Sequence, residues 1–327
     1  MQSLSYYILR RLLQLVPIVL VIVLMTYLLL RMAPGDLVDV IAGESGSATP
    51  EYMNELRRQF SLDQPGMVIF WNYLKNLAQL DLGFSFRHGM PVIDLIMDRV
   101  KPTLVLMLAS ITIAGVAGVT LGVVSARRRG TWIDEAISTF STLGFATPVF
   151  WIGLMLIVLF SVNLHWLPAS GMLTIGGPQL GSWAGFLDLL AHLVLPAFTL
   201  SLFYLSIYVR ITRAAMLEVY SLDFVRTARA KGLSESRVAI AHVLRNALLP
   251  VITITGLQLG SLLGGSIVVE TVFSWPGLGR LAFDAVFQRD VNLLLGIFLF
   301  SSLLVVLMNL LVDVLYAVLD PRVIGSR

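Results

Sequence analysis

Long uncharged stretches dominate the hydrophobic pattern of this chain. A helix that rises 1.5 Å per residue needs about 20 residues to cross the roughly 30 Å of hydrocarbon in a bilayer, so uncharged runs of that length predict membrane-spanning helices. The third run contains Pro148, which favours a kinked or interfacial start. The pattern therefore predicts an all-α transmembrane protein of six helices. The six runs are 12–30, 103–126, 136–164, 189–209, 246–269 and 291–312.

Composition supports a membrane protein and excludes several kinds of chemistry. The chain has 57% hydrophobic and 13% charged residues, whereas soluble proteins carry about 25% charged residues. It has no cysteine, which excludes disulfides, thiolate metal sites and cysteine catalysis. Its basic residues lie between apolar runs, so we expect no nucleic-acid partner. The four histidines are isolated in the sequence, and we expect no metal and no cofactor.

The distribution of lysine and arginine predicts how the helices cross the membrane. Short loops rich in these residues stay in the cytoplasm. If six helices alternate in direction, one side carries 14 of the 23 Lys and Arg residues but only 6 of the 20 Asp and Glu residues. We assign that side to the cytoplasm, and both termini with it.

We interpret residues 1–327 as a single transmembrane domain. The long polar segment after the first helix predicts an insertion on the outer side, with a short helix at 50–60. The parts are a first helix at 1–31, an extracytoplasmic insertion at 32–101, and a five-helix core at 102–320 that includes a cytoplasmic loop at 213–246.

The segment between the fourth and fifth runs carries the strongest local signals. Ser221 or Asp223 can cap the start of a short helix. Phe224 and Ala228 are four residues apart and are expected on one face of that helix. Gly232 suits the left-handed position just after the helix end. The segment therefore predicts a short helix, a hard turn and a second helix that leads into the fifth run.

Two functions fit this segment. A basic loop next to a membrane commonly lies on lipid headgroups. Such a patch does not need a glycine stop, a second helix capped by Ser234, or apolar residues such as Phe224 and Val225 facing the cytoplasm. These features favour docking to a soluble partner, but the residues alone leave both interpretations open.

The same segment resembles a loop of a known family. Residues 223–233 read Asp-Phe-Val-Arg-Thr-Ala-Arg-Ala-Lys-Gly-Leu, and residues 242–250 read His-Val-Leu-Arg-Asn-Ala-Leu-Leu-Pro. Together they resemble the cytoplasmic loop of the dipeptide, oligopeptide and nickel permeases of ABC importers. The wider permease pattern has Glu-Ala-Ala where this chain has Arg-Thr-Ala at 226–228, so the glutamate is missing. Further similar motifs lie at 10–12, 34–36, 82–85 and 270–279, so that the resemblance covers essentially the whole chain.

The resemblance implies a function and a set of partners. The chain would be a pore-forming permease subunit in the inner membrane, coupling ATP hydrolysis by partner subunits to solute import. Di- and oligopeptides are the first expected substrates, and nickel, opines, glutathione and sugars are the others. The implied partners are a second homologous permease, two ATPase subunits, an extracytoplasmic solute-binding protein and the lipid bilayer. The loop would be a coupling helix that docks in a cleft of the ATPase through Asp223, Phe224, Val225, Arg226, Ala228, Arg229, Lys231, Gly232, Arg245 and Asn246.

The sequence also indicates that the chain is not itself an enzyme. It lacks a Gly-x-x-x-x-Gly-Lys-Ser/Thr phosphate-binding loop, so another chain must hydrolyse ATP. The run 277–282 fits a dinucleotide fingerprint, but Ser-Trp-Pro precedes it instead of a strand, and we reject that function. A secondary transporter would show repeated halves and embedded ion ligands, and a membrane enzyme would show a reactive cluster. Neither pattern is evident.

Small residues and an outer motif complete the candidate sites. Small-residue faces permit close helix contact in lipid, and such contact is compatible with a pore. These glycines are Gly118 and Gly122 in the second run and Gly256, Gly260 and Gly264 in the fifth. The motif after the fifth run predicts an extracytoplasmic turn or gate, formed by an interfacial Glu270 with Phe273, Trp275, Pro276 and Gly277. Asp313 is expected to pair with an arginine near the cytoplasmic face.

Overall fold

The computed structural model describes residues 4–32, 53–54, 65–85, 87–179 and 181–319. Most of these residues are helical. The elements are α1 (Leu4–Met32), α2 (Gly66–Ala78), β1 (Phe84–Ser85), β2 (Met90–Pro91), α3 (Val92–Arg127), α4 (Trp132–Ala146), α5 (Val149–Leu156), α6 (Trp183–Tyr220), α7 (Asp223–Ala230), α8 (Glu235–Arg237), α9 (Arg245–Val272), α10 (Leu278–Phe287) and α11 (Val291–Leu319). Two π-helical segments, Ile157–Asn163 and Val238–Leu244, extend α5 and join α8 to α9.

The helices match the predicted membrane runs. Within the described residues, four helical stretches are long and apolar enough to cross a bilayer, and they lie on the second, fourth, fifth and sixth runs. The third run is α4 followed by α5 and its π-helical extension, two parts bent by 102°. The first run lies in α1, where the apolar stretch Leu13–Leu29 is shorter. The all-α transmembrane fold is confirmed, and the count of six membrane crossings stays a prediction.

The break in the third run has a local cause. Thr147 ends α4 in an extended conformation, with φ −83° and ψ 132°. The ring of Pro148 disfavours a helical conformation for the residue before it. Pro148 then precedes the first residue of α5. Proline has no backbone N–H, but no intrahelical bond is lost at this position, because the first N–H groups of a helix have no partner within it. The predicted kink is therefore a break between two helices.

Residues 99–283 form one compact unit together with the end of α11. Helix α6 is the most extensively buried helix described in it. A methyl group on Gly118 would lie 2.5 Å from the Tyr208 Cβ, and one on Gly122 would lie 2.6 Å from the Thr212 Cβ. Both residue numbers rise together, so α3 and α6 run parallel, and the glycines allow this close contact.

Residues up to 98, with 284–304, form a second unit. The two short strands pair in an antiparallel hairpin, with Ser85 opposite Met90. The hydroxyl of Ser85 donates to the buried Asp290 carboxylate. Asp290 also accepts the Leu293 N–H at 3.1 Å, which caps the start of α11. The predicted insertion thus contains α2 and this hairpin, whereas most of the short helix predicted at 50–60 lies outside the described residues.

Candidate coupling interface and outer turn

The start of the short helix α7 differs from the prediction. Leu222 occupies the N-cap position, and no side chain caps the helix there. Ser221 instead donates its hydroxyl to the Glu218 carbonyl at the end of α6. Asp223 is the first helical residue, and its exposed carboxylate lies 3.5 Å from the Arg226 guanidinium. The predicted capping by Ser221 or Asp223 is therefore wrong. Leu222 lies between them at the N-cap position, and the Ser221 hydroxyl bonds to the preceding helix α6.

The end of α7 agrees with the prediction. Gly232 has φ +78°, which is the left-handed conformation that favours glycine. Its N–H donates to the Arg229 carbonyl at 2.9 Å, and the Lys231 N–H donates to the Thr227 carbonyl at 3.1 Å. A methyl group on Gly232 would meet no atom within 4 Å. The glycine is therefore required by backbone conformation and not by lack of space.

Phe224 and Val225 were both expected to be exposed on α7, and this is correct for Phe224 but wrong for Val225. Val225 and Ala228 are buried, whereas Phe224 is 40% exposed. The two buried residues are three positions apart and so share a helix face. They pack in a hydrophobic cluster with Met216 of α6 and Val238 of the π-helical segment. Val225 thus anchors α7 to its own chain, and Phe224 is the large apolar side chain that faces outward.

A polar contact closes the turn after α7. The Arg229 guanidinium donates two bonds to Glu235, from Nε to Oε1 at 2.8 Å and from Nη2 to Oε2 at 3.2 Å. It also lies over the Tyr220 ring, 5.6 Å from the ring centre. The bond to Glu235 raises the pKa of Arg229. Arg229 is therefore held against the turn, while the exposed Arg226 and Lys231 extend from α7.

The remaining predicted docking residues lie further along the chain. Arg245 and Asn246 begin α9 and are exposed. Asn246 donates its side-chain N–H to the His242 carbonyl at 2.8 Å, inside the π-helical segment. Ser234 stands at the N-cap position of α8, but its side chain makes no cap bond. Ser234 thus has the predicted N-cap position without the predicted capping bond, and the docking role of Arg245 and Asn246 stays a prediction.

The motif after α9 is built around a buried carboxylate. Glu270 was expected at the interface between membrane and water, but it is fully buried inside the protein. Its Oε1 accepts the Thr103 hydroxyl at 2.9 Å, and its Oε2 accepts the Arg280 N–H at 3.0 Å. The Ser266 hydroxyl also donates to it. Glu270 therefore caps the start of α10 from a neighbouring helix and ties it to α3.

Two aromatic residues fix the turn between α9 and α10. Trp275 is completely buried, and its Nε1–H donates to the Pro102 carbonyl at 2.9 Å. Phe273 is buried, and its carbonyl accepts the Gly171 N–H at 2.8 Å. Pro276 is partly buried between them and the start of α10. The five residues predicted as one outer turn are therefore together, and Thr103 is a partner that sequence reasoning missed.

Other candidates are described only in part. Gly256 is buried in α9, and the surroundings of Gly260 and Gly264 lie outside what the structure describes. The environment of the Asp313 side chain also lies outside it. In the described parts of the chain, no three His, Asp or Glu residues are grouped as metal ligands would be.

Comparison with known proteins identifies the family. Residues 118–325 match the family described as "Binding-protein-dependent transport system inner membrane component", and residues 4–107 match the N-terminal region described for such membrane components. The chain is 43% identical over 318 residues to the oligopeptide transport system permease protein AppB of Bacillus subtilis (strain 168), covering 97% of this chain and 98% of that one. It is 41% identical over 337 residues to the di/tripeptide transport system permease protein DppB of Pseudomonas aeruginosa (strain UCBPP-PA14), covering 98% of this chain and 99% of that one.

A solved structure shares the fold. A chain of the MetNI methionine ABC transporter, in an inward-facing conformation, superimposes with a TM-score of 0.55 at 18% identity, covering 69% of this chain and 96% of that chain. At that identity the likeness concerns the fold alone. The family matches and the near full-length relatives decide the assignment. The chain belongs to the family of inner membrane components of binding-protein-dependent transport systems, the permease subunits of ABC importers.

Proposed function

We propose that this chain forms half of the pore of an ATP-driven importer for di- and oligopeptides. The names of relatives that match it over nearly their full length support the substrate class. The chain has no phosphate-binding loop, so ATP is hydrolysed by other subunits. Two ATPase subunits bind on the cytoplasmic side, a second permease of the same family completes the pore, and an extracytoplasmic binding protein delivers the solute.

The chain lies in the inner membrane with both termini in the cytoplasm. Parallel packing of α3 with α6 supports the alternating topology, because the second and fourth crossings must run in the same direction. The single domain 1–327 then has its insertion, 32–101, outside, and its core, 102–320, carries the loop 213–246 inside.

Helix α7 is the coupling helix that receives the ATPase, and its anchoring is the observation that carries this proposal. An eight-residue helix is not stable by itself in water. Burial of Val225 and Ala228 in the cluster below holds it in one orientation. Phe224, Arg226 and Lys231 are exposed on it. A surface that only attracts lipid headgroups needs charge but no preformed shape, so the anchored helix favours a protein partner.

The outer turn and the glycine faces have supporting roles. The turn from Glu270 to Gly277 closes the outer end of the pore, and the bonds of the Glu270 carboxylate hold it in a single conformation. The close approach of α3 to α6 at Gly118 and Gly122 makes the inner part of the core rigid. Movement that starts at α7 is then passed on by packed helices.

The test compares two substitutions at Gly232 in the complex co-expressed with its own ATPase subunits. Gly232→Val places a β-branched residue at φ +78°, a strain of about 1–3 kcal/mol. Gly232→Asn is the matched control, because asparagine tolerates the left-handed conformation and both variants have free space for a side chain. We expect normal membrane levels for both variants, with transport and ATPase binding lost only in Gly232→Val.

A second pair of variants tests the exposed face. Phe224→Asp introduces a charge into the outward apolar position, whereas Phe224→Leu keeps the position apolar. We expect only Phe224→Asp to release the ATPase from the purified complex. Wild-type transport in both Gly232→Val and Phe224→Asp would contradict the proposal and favour a loop that lies on lipid.

A further inference from the structure

A partly buried ion pair joins α4 to α6, the helix that precedes the coupling helix. Asp134, in the first turn of α4, is 5% exposed. Its Oδ1 accepts the Arg213 Nε–H and its Oδ2 accepts the Arg213 Nη2–H, both at 2.8 Å. The Ser125 hydroxyl at the end of α3 and the Gly130 N–H, at 3.0 Å, also donate to this carboxylate. One side chain thus joins α3, the turn after it, α4 and α6.

The pair is the first of several contacts between α4 and α6. Further along, the Ser206 hydroxyl donates to the Ser141 carbonyl. Phe145 stacks on Phe203 with ring centres 5.2 Å apart, and the Arg210 guanidinium lies 5.3 Å from the Phe145 ring centre. Residue numbers rise on α4 as they fall on α6, so the two helices are antiparallel. The whole of α4 is therefore fastened to one half of α6.

The same half of α6 leads directly into the coupling helix. Helix α6 ends at Tyr220 and α7 begins at Asp223. Met216 and Val219 of α6 pack in the cluster that holds Val225 of α7. In the other direction, α4 leads to the 102° break before α5. A displacement of α7 can thus reach the broken helix through α6 and the contacts on α4.

We propose that Asp134 and Arg213 are positioning residues that transmit movement of the coupling helix to α4 and the broken span. The inference rests on the proposed function of α7. This partly buried ion pair adds little net stability compared with apolar packing, but its two parallel bonds fix the relative position of the two helices. Without those bonds only the contacts further along α4 remain, so the start of α4 no longer follows α6 when α6 moves with α7. ATP hydrolysis then moves the broken span in fewer of its cycles.

The experiment measures ATP hydrolysed per solute transported by the full complex in vesicles. Asp134→Asn removes the carboxylate charge, and the Arg213 side chain, 32% exposed, keeps access to water so that the variant can fold. Glu135→Gln is the matched control, because it removes the neighbouring charge from the exposed face of α4. We expect Asp134→Asn to retain bound ATPases and to use about tenfold more ATP per solute. Glu135→Gln should behave as the wild type.

A disulfide provides the readout that a structural role alone would not change. The chain has no cysteine, so Ser141→Cys and Ser206→Cys create a single pair at the α4–α6 contact. Oxidation of that pair in the Asp134→Asn background should restore transport per ATP, and reduction should lower it again. Failure of the oxidised pair to restore transport would overturn the inference. So would wild-type coupling in Asp134→Asn, or loss of the bound ATPases from it.

The same preparations separate this inference from the proposed function. If the wild-type complex contains no ATPase, the proposed function fails and the inference fails with it. If the wild-type complex contains ATPases and transports solute while Asp134→Asn matches it, only the inference fails. Arg213→Lys, which keeps the charge but not the two parallel bonds, should show the same uncoupling as Asp134→Asn.

Discussion

Substitution of Gly277 by alanine should disrupt the outer turn through the Glu270 carboxylate. A Cβ at position 277 would lie 2.3 Å from the Glu270 Cδ and 2.4 Å from both of its oxygens, whereas ordinary contact begins at 3.4 Å. The carboxylate must therefore move by about 1 Å, which is more than the range of about 0.5 Å over which hydrogen-bond lengths vary. Its bonds from Thr103, at 2.9 Å, and from the Arg280 N–H, at 3.0 Å, then lengthen beyond that range.

The magnitude follows from those two bonds. A hydrogen bond contributes about 0.5–1.5 kcal/mol, so the loss of both predicts a destabilisation of about 1–3 kcal/mol. The assay is thermal unfolding of the purified chain in detergent, followed by tryptophan fluorescence. Gly115→Ala in α3 is the matched control, because a methyl group there meets no atom within 4 Å and alanine favours a helix. We expect a clearly lower unfolding midpoint for Gly277→Ala and an unchanged midpoint for Gly115→Ala.

A double mutant isolates the cause. In a Glu270→Ala background the clash is absent, so Gly277→Ala should cost little more there, and the two effects should be strongly non-additive. Additive effects of the two substitutions, or an unchanged midpoint for Gly277→Ala alone, would refute the proposed packing of Glu270 against Gly277.

Three further outcomes are expected. A cysteine at Ser234 should react with an impermeant thiol reagent only from the cytoplasmic side, and one at Ser170 only from outside; reaction of both from the same side would exclude the alternating topology. The purified chain should not hydrolyse ATP, so activity in a preparation shown by mass spectrometry to lack other subunits would contradict its role. Trp275→Phe removes the bond to Pro102 and should lower stability by about 1–3 kcal/mol, measured as the thermal midpoint, with the exposed Trp183→Phe as the unaffected control.

The sequence by itself determined the features that depend on neighbouring residues. Length and apolarity of a run decide whether a helix can cross a bilayer, so the helical runs were predictable without tertiary contacts. Pro148 predicted a kink because its ring restricts the residue before it. Gly232 predicted the end of α7 because few other residues adopt a positive φ. The long motif at 223–250 carried the family resemblance in the same local way.

Only the tertiary structure decided which side chains are buried and what they bond. Phe224 and Val225 are both apolar, and α6 and the π-helical segment select Val225 as the anchor. Glu270 is buried where donors from α3 and α10 converge on it, and the donor on α3, Thr103, is 167 residues away in the sequence. Asp134 and Arg213 are 79 residues apart, and neither lies in a recognisable motif. Local periodicity gives the helices, but the pairing of distant polar groups depends on how the helices pack, which a single sequence does not specify.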